Sequence, residues 1–300
     1  MGWADGAVLS AALLAAVNVV DSHLITKRMP SLKAFLLAAA LIAIVYGVTV
    51  LSLEPLPEDV GAFPVLMAVA SSVLRGCAVL LFLYVLQTEE VSRVMPVVNI
   101  HPVFVAILAV LLLNESLLVL EWLAIGITVT GAILISIKPG THSLHQWLGK
   151  PVLLPFLASL FLAGANLTSK EALDDISFWN MYAIGSIGMA CTFVLFALRV
   201  TALRELAIIG RSISSAAILL INESLVPVAA ILLYWSIERG PVSLVSAIGG
   251  SQPLFVFFYA LILSRVSGVL LEDHMKRETV LMRFAAIGMI VGGITIIHTI

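Results

Sequence analysis

Ten separate stretches of mostly apolar residues occupy almost the whole chain. A stretch of about 20 such residues crosses the hydrocarbon core of a bilayer as an α-helix, and helices satisfy their own backbone polar groups there. The sequence therefore predicts an all-α integral membrane protein with ten transmembrane helices. The predicted spans, numbered 1 to 10, cover residues 6–26, 33–53, 61–87, 92–113, 117–137, 150–170, 178–199, 212–236, 242–264 and 281–299.

Composition excludes a water-soluble fold. Charged residues make up 11% of the chain and hydrophobic residues 61%, with a mean hydropathy of +1.13. A soluble globular domain needs about a quarter of its residues charged to cover its surface. No segment is long and polar enough for a soluble domain, so we expect the lipid bilayer as partner and no nucleic acid.

The second half of the chain repeats the first. Residues 91–112 and 242–263 align without gaps and share eight of 22 positions, and residues 122–135 and 284–297 share six of 14. Two alignments in the same order predict a duplication, with repeats over 1–140 and 141–300. Five spans per repeat is an odd number, so the second repeat enters the membrane from the opposite side. Such inverted repeats recur in secondary transporters.

Loop charges predict the orientation. The face that carries both termini has two basic residues, Lys170 and Arg239. Basic loops mark the cytoplasmic side, so we expect both termini outside, in a prokaryotic cell membrane. The opposite face has thirteen: Lys27, Arg28, Lys33, Arg93, Lys138, Lys150, Arg199, Arg204, Arg211, Arg265, Lys276, Arg277 and Arg283.

Spans 4 and 5 contain a Pro-Val-Phe sequence, then an acidic residue, then a helix with two glycines. These residues are Pro102, Val103, Phe104, Glu115, Gly126 and Gly131. The pattern resembles the EamA domain of the drug/metabolite transporter superfamily. The second half keeps Pro253, Phe255, Gly288 and Gly293, but Ser264, Arg265 and Val266 stand where the acidic residue is expected.

That resemblance implies two five-helix repeats around a central cavity, lined mainly by spans 1, 3, 4, 6, 8 and 9. It also implies transport of small metabolites, often export. Family members usually keep both termini in the cytoplasm, which disagrees with the charge count. The glycines of spans 5 and 10 favour close helix packing, and Glu115 is interpreted as a structural residue at a helix junction.

Two ionisable side chains lie deep inside predicted spans, Arg75 in span 3 and Glu223 in span 8. Charges in the membrane are costly and usually face a cavity or a partner. The repeat alignment puts them close to equivalent positions, so we predict an ion pair across the cavity; the alternative is that each holds the bundle together through other groups. Asp21 is interpreted as an interfacial partner of Lys27 and Arg28.

Polar side chains next to prolines complete the candidate substrate site. Proline frees a backbone carbonyl one turn earlier, and broken helices often coordinate substrate in transporters, although a packing kink would look the same. His101 could titrate near neutral pH, so proton coupling stays open. With Arg75 and Glu223, the candidates are Asn18, Asn99, His101, Asn166 and Gln252.

The leading hypothesis is a secondary transporter that moves a small amino acid-like, polar or amphipathic metabolite, and that acts as an exporter. No Walker A sequence and no His-Glu-x-x-His motif occurs, so we predict no enzyme, no cofactor and no metal. A channel, or an intramembrane enzyme without a recognisable motif, remains the alternative. The sequence leaves the solute unidentified and allows a monomer or a homodimer.

Overall fold

The computed structural model describes residues 2–85, 91–137, 153–209, 213–267 and 277–300. These parts are helical and contain no strand, which confirms the predicted all-α class. The helices are α1 (Trp3–His23), α2 (Leu32–Leu53), α3 (Ala62–Val85), α4 (Val91–Val98), α5 (His101–Leu112), α6 (Val119–Ser136), α7 (Leu153–Leu173), α8 (Phe178–Ala197), α9 (Val200–Ile209), α10 (Ile213–Arg239), α11 (Val242–Gly249), α12 (Gln252–Ser267) and α13 (Arg277–Thr299).

Ten crossings are long and apolar enough to span a membrane within these described ranges. Each falls on one predicted span, so the ten-helix prediction is confirmed. A π-helical turn, Leu24–Arg28, extends α1. The predicted boundary between residues 140 and 141 lies outside the described residues, as do the ends of the predicted ranges 61–87, 150–170 and 212–236.

One helix was not predicted. α9 follows span 7 and is ten residues long, too short to cross a bilayer. It packs against α2, and Glu205 on α9 accepts a hydrogen bond from the Ser31 hydroxyl at the N-cap of α2. A short helix of this kind gives no span-length apolar signal, which is why the sequence analysis treated the segment as a loop.

Spans 4 and 9 are broken at equivalent points. α4 and α5 are separated by residues 99–100, and α11 and α12 by residues 250–251. In the repeat alignment these two gaps coincide, so His101 and Gln252 begin the second helix of each pair. Proline follows directly in both, at positions 102 and 253, and proline is well tolerated in the first turn of a helix. In each repeat, a proline in the first turn of the second helix therefore marks the position of the break.

Helix contacts between the two halves are nearly symmetric. α3 of the first half packs extensively on α7 of the second, and α1 packs in the same way on α10. α2 packs on α8, and α6 on α13. Suppose that α1, α2, α3 and α6 of the first half correspond to α7, α8, α10 and α13 of the second. Exchanging the halves then turns the α3–α7 contact into the α1–α10 contact, and leaves the α2–α8 and α6–α13 contacts unchanged. Two halves related by a two-fold axis would pack in this way, and the inverted repeat stays a prediction.

Both termini lie at one face of the bundle, because the number of crossings in the described residues is even. His298 near the end of α13 has its Nδ1 atom 3.9 Å from a carboxylate oxygen of Asp5 in the first turn of α1. We call this side the terminal face and the opposite side, which carries the basic loop residues, the basic face.

The broken spans pack on helices of both halves. α11, in the terminal half of span 9, packs on α1, α5, α6, α7 and α10. Its counterpart α4, in the basic half of span 4, packs on α6 and α7. Each of these half-spans therefore contacts the other half of the chain.

Candidate functional site

Arg75 lies halfway along α3 and is half-buried. Its Nη2 donates a hydrogen bond to Oδ1 of Asn166 on α7 over 2.8 Å. Its guanidinium carbon lies 5.8 Å from the centre of the Tyr234 ring on α10. The Nε atom is buried and has no hydrogen-bond partner. No carboxylate of the described residues forms an ion pair with this guanidinium.

Asn166 connects Arg75 to the broken span 9. Its Nδ2 donates to the Ser246 hydroxyl on α11 over 2.9 Å, and only 6% of its surface is exposed. One turn away, the hydroxyls of Ser71 and Ser169 lie 2.7 Å apart, again between α3 and α7. The structure thus brings the predicted residues Arg75 and Asn166 together, and it adds Ser246, which the sequence analysis missed.

The predicted ion pair between Arg75 and Glu223 is not formed. Arg75 meets Tyr234, eleven residues beyond Glu223 on α10, which is about 16 Å along a helix axis. Side chains lean toward the N-terminus of their own helix. Because α3 and α10 run in opposite directions, Arg75 leans toward the terminal face and Glu223 toward the basic face.

Glu223 instead belongs to an acidic cluster where α1 packs on α10. Its side chain is 9% exposed and lies within electrostatic range of Asp21. Asn222 donates from Nδ2 to Oδ1 of Asp21 over 2.6 Å, while its own Oδ1 is buried without a donor. The predicted interfacial pairing of Asp21 with Lys27 or Arg28 is therefore wrong: no described basic residue forms an ion pair with it.

The remaining candidates separate into a pair and two single residues. Asn18 donates from Nδ2 to Oε1 of Gln252 over 3.2 Å, which joins α1 to the start of α12. His101 has Nδ1 3.1 Å from the carbonyl oxygen of Val98, at the break in span 4. Since a carbonyl can only accept, the proton of this hydrogen bond lies on Nδ1.

Asn99 does not join these groups. It is 6% exposed, and its Nδ2 lies 3.4 Å from the hydroxyl of Ser136 on α6. The side chain therefore bridges spans 4 and 5. Its neighbour His101 lies within electrostatic range of Arg75, so the two polar residues at the break in span 4 have different neighbours: Arg75 for His101 and α6 for Asn99.

Tyrosines line the space between the guanidinium and the acidic cluster. Tyr182 on α8 lies within electrostatic range of Tyr46, Tyr234 and Glu223. The Tyr46 hydroxyl donates to the Ser224 hydroxyl over 2.8 Å. Such rings supply an apolar wall with polar tips. The tyrosines were not predicted from the sequence, although Asn222 beside Glu223 in an apolar run was a signal for the acidic cluster.

These groups form two chemically different regions of the bundle. Toward the terminal face stands a cation with an unused N–H donor. Toward the basic face stand two acidic side chains and a buried Asn222 Oδ1 without a donor. The described residues contain no group of three His, Cys, Asp or Glu side chains that could hold a metal ion. The arrangement can bind an anionic group at Arg75 and a positively charged species at Glu223.

Comparison with known proteins gives a family match. The sequence profile of the EamA-like transporter family matches residues 2–137. It is a family of membrane transporters, not enzymes, within the drug/metabolite transporter superfamily. No curated protein matches the sequence significantly.

Solved structures match the fold more widely. Twenty-eight chains match significantly. One, titled "Crystal structure of protein", shares 15% identity with a TM-score of 0.68 and covers 98% of this chain and 94% of its own. At that identity the likeness shows the fold alone.

Proposed function

We propose that this chain, which belongs to the EamA-like transporter family through residues 2–137, is a secondary transporter working by alternating access. Its solute is a small amino acid-like metabolite, or another small polar solute, that carries an anionic group. The direction is export. Membership of a transporter family supports the general class, and the chemistry of the cavity supports the solute.

One observation carries the proposal: among the residues that the structure describes, no carboxylate forms an ion pair with the guanidinium of Arg75. A charge in the membrane interior costs several kcal/mol unless it is paired. Here it has a neutral amide, an aromatic ring and a buried Nε without a partner. A carboxylate of the solute would supply the missing charge and accept from the planar fork of donors that a guanidinium presents.

Amides on the other walls would hold the rest of the solute. Asn18 and Gln252 bind each other across α1 and α12, and Asn166 shares its carbonyl oxygen with Arg75. His101 starts α5 within electrostatic range of Arg75. These four and Arg75 form the proposed solute site, whereas Asn99 faces α6.

The pattern of helix contacts supports alternating access. A two-fold pattern of contacts offers two arrangements of similar energy, one open to each face. Here α11 packs on α1, α5, α6, α7 and α10 at the terminal face. Asn18 is exposed although it binds Gln252 inside the bundle. With the basic face in the cytoplasm, as the loop charges predict, such a state would take up solute for export.

Counterflow in proteoliposomes tests this function. Vesicles loaded with an unlabelled mixture of amino acids and small monocarboxylic acids should accumulate the same labelled mixture, with saturation and competition. Arg75→Gln removes the charge-assisted hydrogen bonds, worth about 1.5–3 kcal/mol each, so half-saturation should rise about 10- to 100-fold. The exposed Arg199→Gln is the matched control and should behave as wild type.

A channel gives a different result. Its flux would grow linearly with solute concentration, would not be competed by unlabelled solute and would show no counterflow. That outcome, or an Arg75→Gln variant indistinguishable from the Arg199→Gln control, would rule out the proposed carrier mechanism around Arg75.

A further inference from the structure

A second, separate polar cluster lies where α1 packs on α10. It consists of Asp21, Asn222 and Glu223, which we call the acid cluster. The amide nitrogen of Asn222 holds the Asp21 carboxylate at 2.6 Å. The Glu223 carboxyl lies close enough to Asp21 for the two groups to interact electrostatically. Arg75 contacts neither group, so the acid cluster is distinct from the proposed solute site.

The acid cluster has acceptors but few donors. Glu223 is 9% exposed and Asn222 is 2% exposed, yet the Oδ1 atom of Asn222 has no hydrogen-bond partner and is sealed from solvent. That atom belongs to the same amide that binds Asp21. An acceptor closed off from water is satisfied by a donor that its neighbours carry, and a protonated carboxyl is the donor that this cluster can form.

No fixed cation neutralises the acid cluster within the described residues. On the neighbouring helices, Tyr182 lies within electrostatic range of Glu223, and the Tyr46 hydroxyl donates to Ser224. The other titratable groups of the described neighbouring elements are engaged or exposed. Four of them have other partners: Lys170 the carbonyls at the end of α10, Glu205 the Ser31 hydroxyl, Tyr259 the Ala12 carbonyl and Tyr234 the Arg75 guanidinium. Glu238 and Arg239 form an ion pair with each other. The rest lie at helix ends or are exposed: Glu171, Lys33, His23, Lys27, Arg28 and Arg204.

We propose that the acid cluster binds the coupling proton of the transport cycle, which rests on the proposed transport function. Two carboxylates that interact in a site of low dielectric cannot both stay ionised without a cation. One proton from water bonds to a carboxylate oxygen of the pair, and the same proton leaves to water on the other side after the cavity switches. Exchange of an outgoing solute for an incoming proton would then drive export.

Infrared spectroscopy of the purified protein can detect this proton when no substrate is present. A protonated carboxyl has a C=O stretch separate from that of a carboxylate. Near neutral pH, the wild type should show this band, and the double variant Asp21→Asn/Glu223→Gln should lose it. The matched control, Asp174→Asn/Asp175→Asn, removes two exposed carboxylates and should keep the band unchanged.

Two further measurements keep the test decisive. If the double variant does not fold, carbon-13 labelling of aspartate and glutamate in the wild type should shift the band, and deuterium oxide should shift it further. Loss of the band on adding sodium chloride at constant pH would assign a metal cation instead of a proton and overturn the proposal. So would an unchanged band in a folded double variant, or no labelled band.

The two proposals fail separately. Counterflow that depends on Arg75, without an infrared band from the acid cluster, would leave a carrier that is not coupled to protons at this site. The band without counterflow would leave the proton site and reject the carrier.

Discussion

At the scale of single residues, the contact between Arg75 and Asn166 is the most informative feature. An asparagine in this position solvates the guanidinium without neutralising it, since a neutral amide oxygen accepts one N–H over 2.8 Å. A carboxylate would bind the guanidinium more strongly and occupy it permanently. In the proposed function, the amide therefore keeps the cation available for a solute at a cost in stability.

Asn166→Asp should reverse this balance. The new carboxylate would form an ion pair with Arg75, so the thermal unfolding midpoint in detergent should rise while counterflow falls below a tenth of wild type. Asn166→Leu is the matched variant, and it should lower the midpoint because it leaves a buried guanidinium without an acceptor, at about 1–3 kcal/mol. Unimpaired counterflow in Asn166→Asp would contradict the role given to Arg75.

At the scale of elements, the turn between α10 and α11 is fixed by two charged side chains. Glu115 accepts from the Val242 N–H over 2.7 Å and from the Ser243 hydroxyl over 2.6 Å, at the N-terminus of α11. Lys170 donates to the Ile237 carbonyl over 2.9 Å, near the C-terminus of α10. Each charge opposes the partial charge of the helix end that it contacts.

Glu115 reaches α11 because of the turn before it. Asn114 has a φ of 54°, a left-handed conformation that asparagine adopts more readily than most residues. The Glu115 N–H then returns to the Ala109 carbonyl over 3.2 Å. This confirms the interpretation of Glu115 as a structural residue, although the sequence alone did not identify its partner in the other half.

Removal of this carboxylate should loosen the terminal face. In Glu115→Ala, the Val242 and Ser243 amides lose hydrogen bonds to a charged acceptor, worth about 1.5–3 kcal/mol. Hydrogen exchange at these amides should therefore accelerate by about 10- to 100-fold. Glu58→Ala, in an exposed loop at the same face, is the control. Equal protection in both variants would show that Glu115 does not hold the turn.

Four glycines of α6 and α13 align between the repeats as two pairs. A Cβ atom at Gly131 would lie 2.9 Å from the Ala286 carbonyl oxygen, and one at Gly293 would lie 3.0 Å from that of Ala124. Gly126 and Gly288 would meet nothing within 4 Å. Only one glycine of each repeat motif therefore permits close packing, and the other faces outward.

Alanine substitution should separate the two roles. Gly131→Ala forces two helix backbones apart and should lower stability by about 1–3 kcal/mol, whereas Gly126→Ala should be neutral or raise it by up to about 1 kcal/mol. Thermal unfolding of the two variants in the same detergent measures the difference. A Gly126→Ala variant as unstable as Gly131→Ala would contradict the packing described for α6 and α13.

At the scale of the whole molecule, the sequence predicted the spans better than the site. Span-length apolar runs and proline positions located all ten crossings and both helix breaks, because these features depend on local sequence. The ion pair between Arg75 and Glu223 was wrong, as expected if the predicted two-fold axis in the membrane plane reverses the depth of equivalent residues. Equivalent residues then face each other only near the midplane.

Side-chain contacts between the two halves could not be predicted from the sequence. The pairing of Asn18 with Gln252, and of Asn166 with Arg75 and Ser246, depends on which helices are neighbours. A single sequence gives the depth of a polar residue but not the direction in which its side chain points. The sequence therefore indicated polar residues within the spans, whereas their partners, and the acid cluster around Asn222, required the structure.

The account as a whole depends on the two halves crossing the membrane in opposite senses. Exposed positions 58 and 204 test this directly, since they lie in equivalent connections: position 58 between spans 2 and 3, and position 204 on α9 between spans 7 and 8. Glu58→Cys and Arg204→Cys are made separately in a background with Cys77→Ala and Cys191→Ala. They are then labelled on intact cells with a membrane-impermeant maleimide.

The account predicts that Glu58→Cys is labelled from outside and that Arg204→Cys is labelled only after the membrane is permeabilised. The reverse pattern would keep the inverted repeat and place both termini in the cytoplasm. Labelling of both positions from the same side would show that the halves are parallel, and would contradict the inverted repeat and the alternating-access mechanism that depends on it.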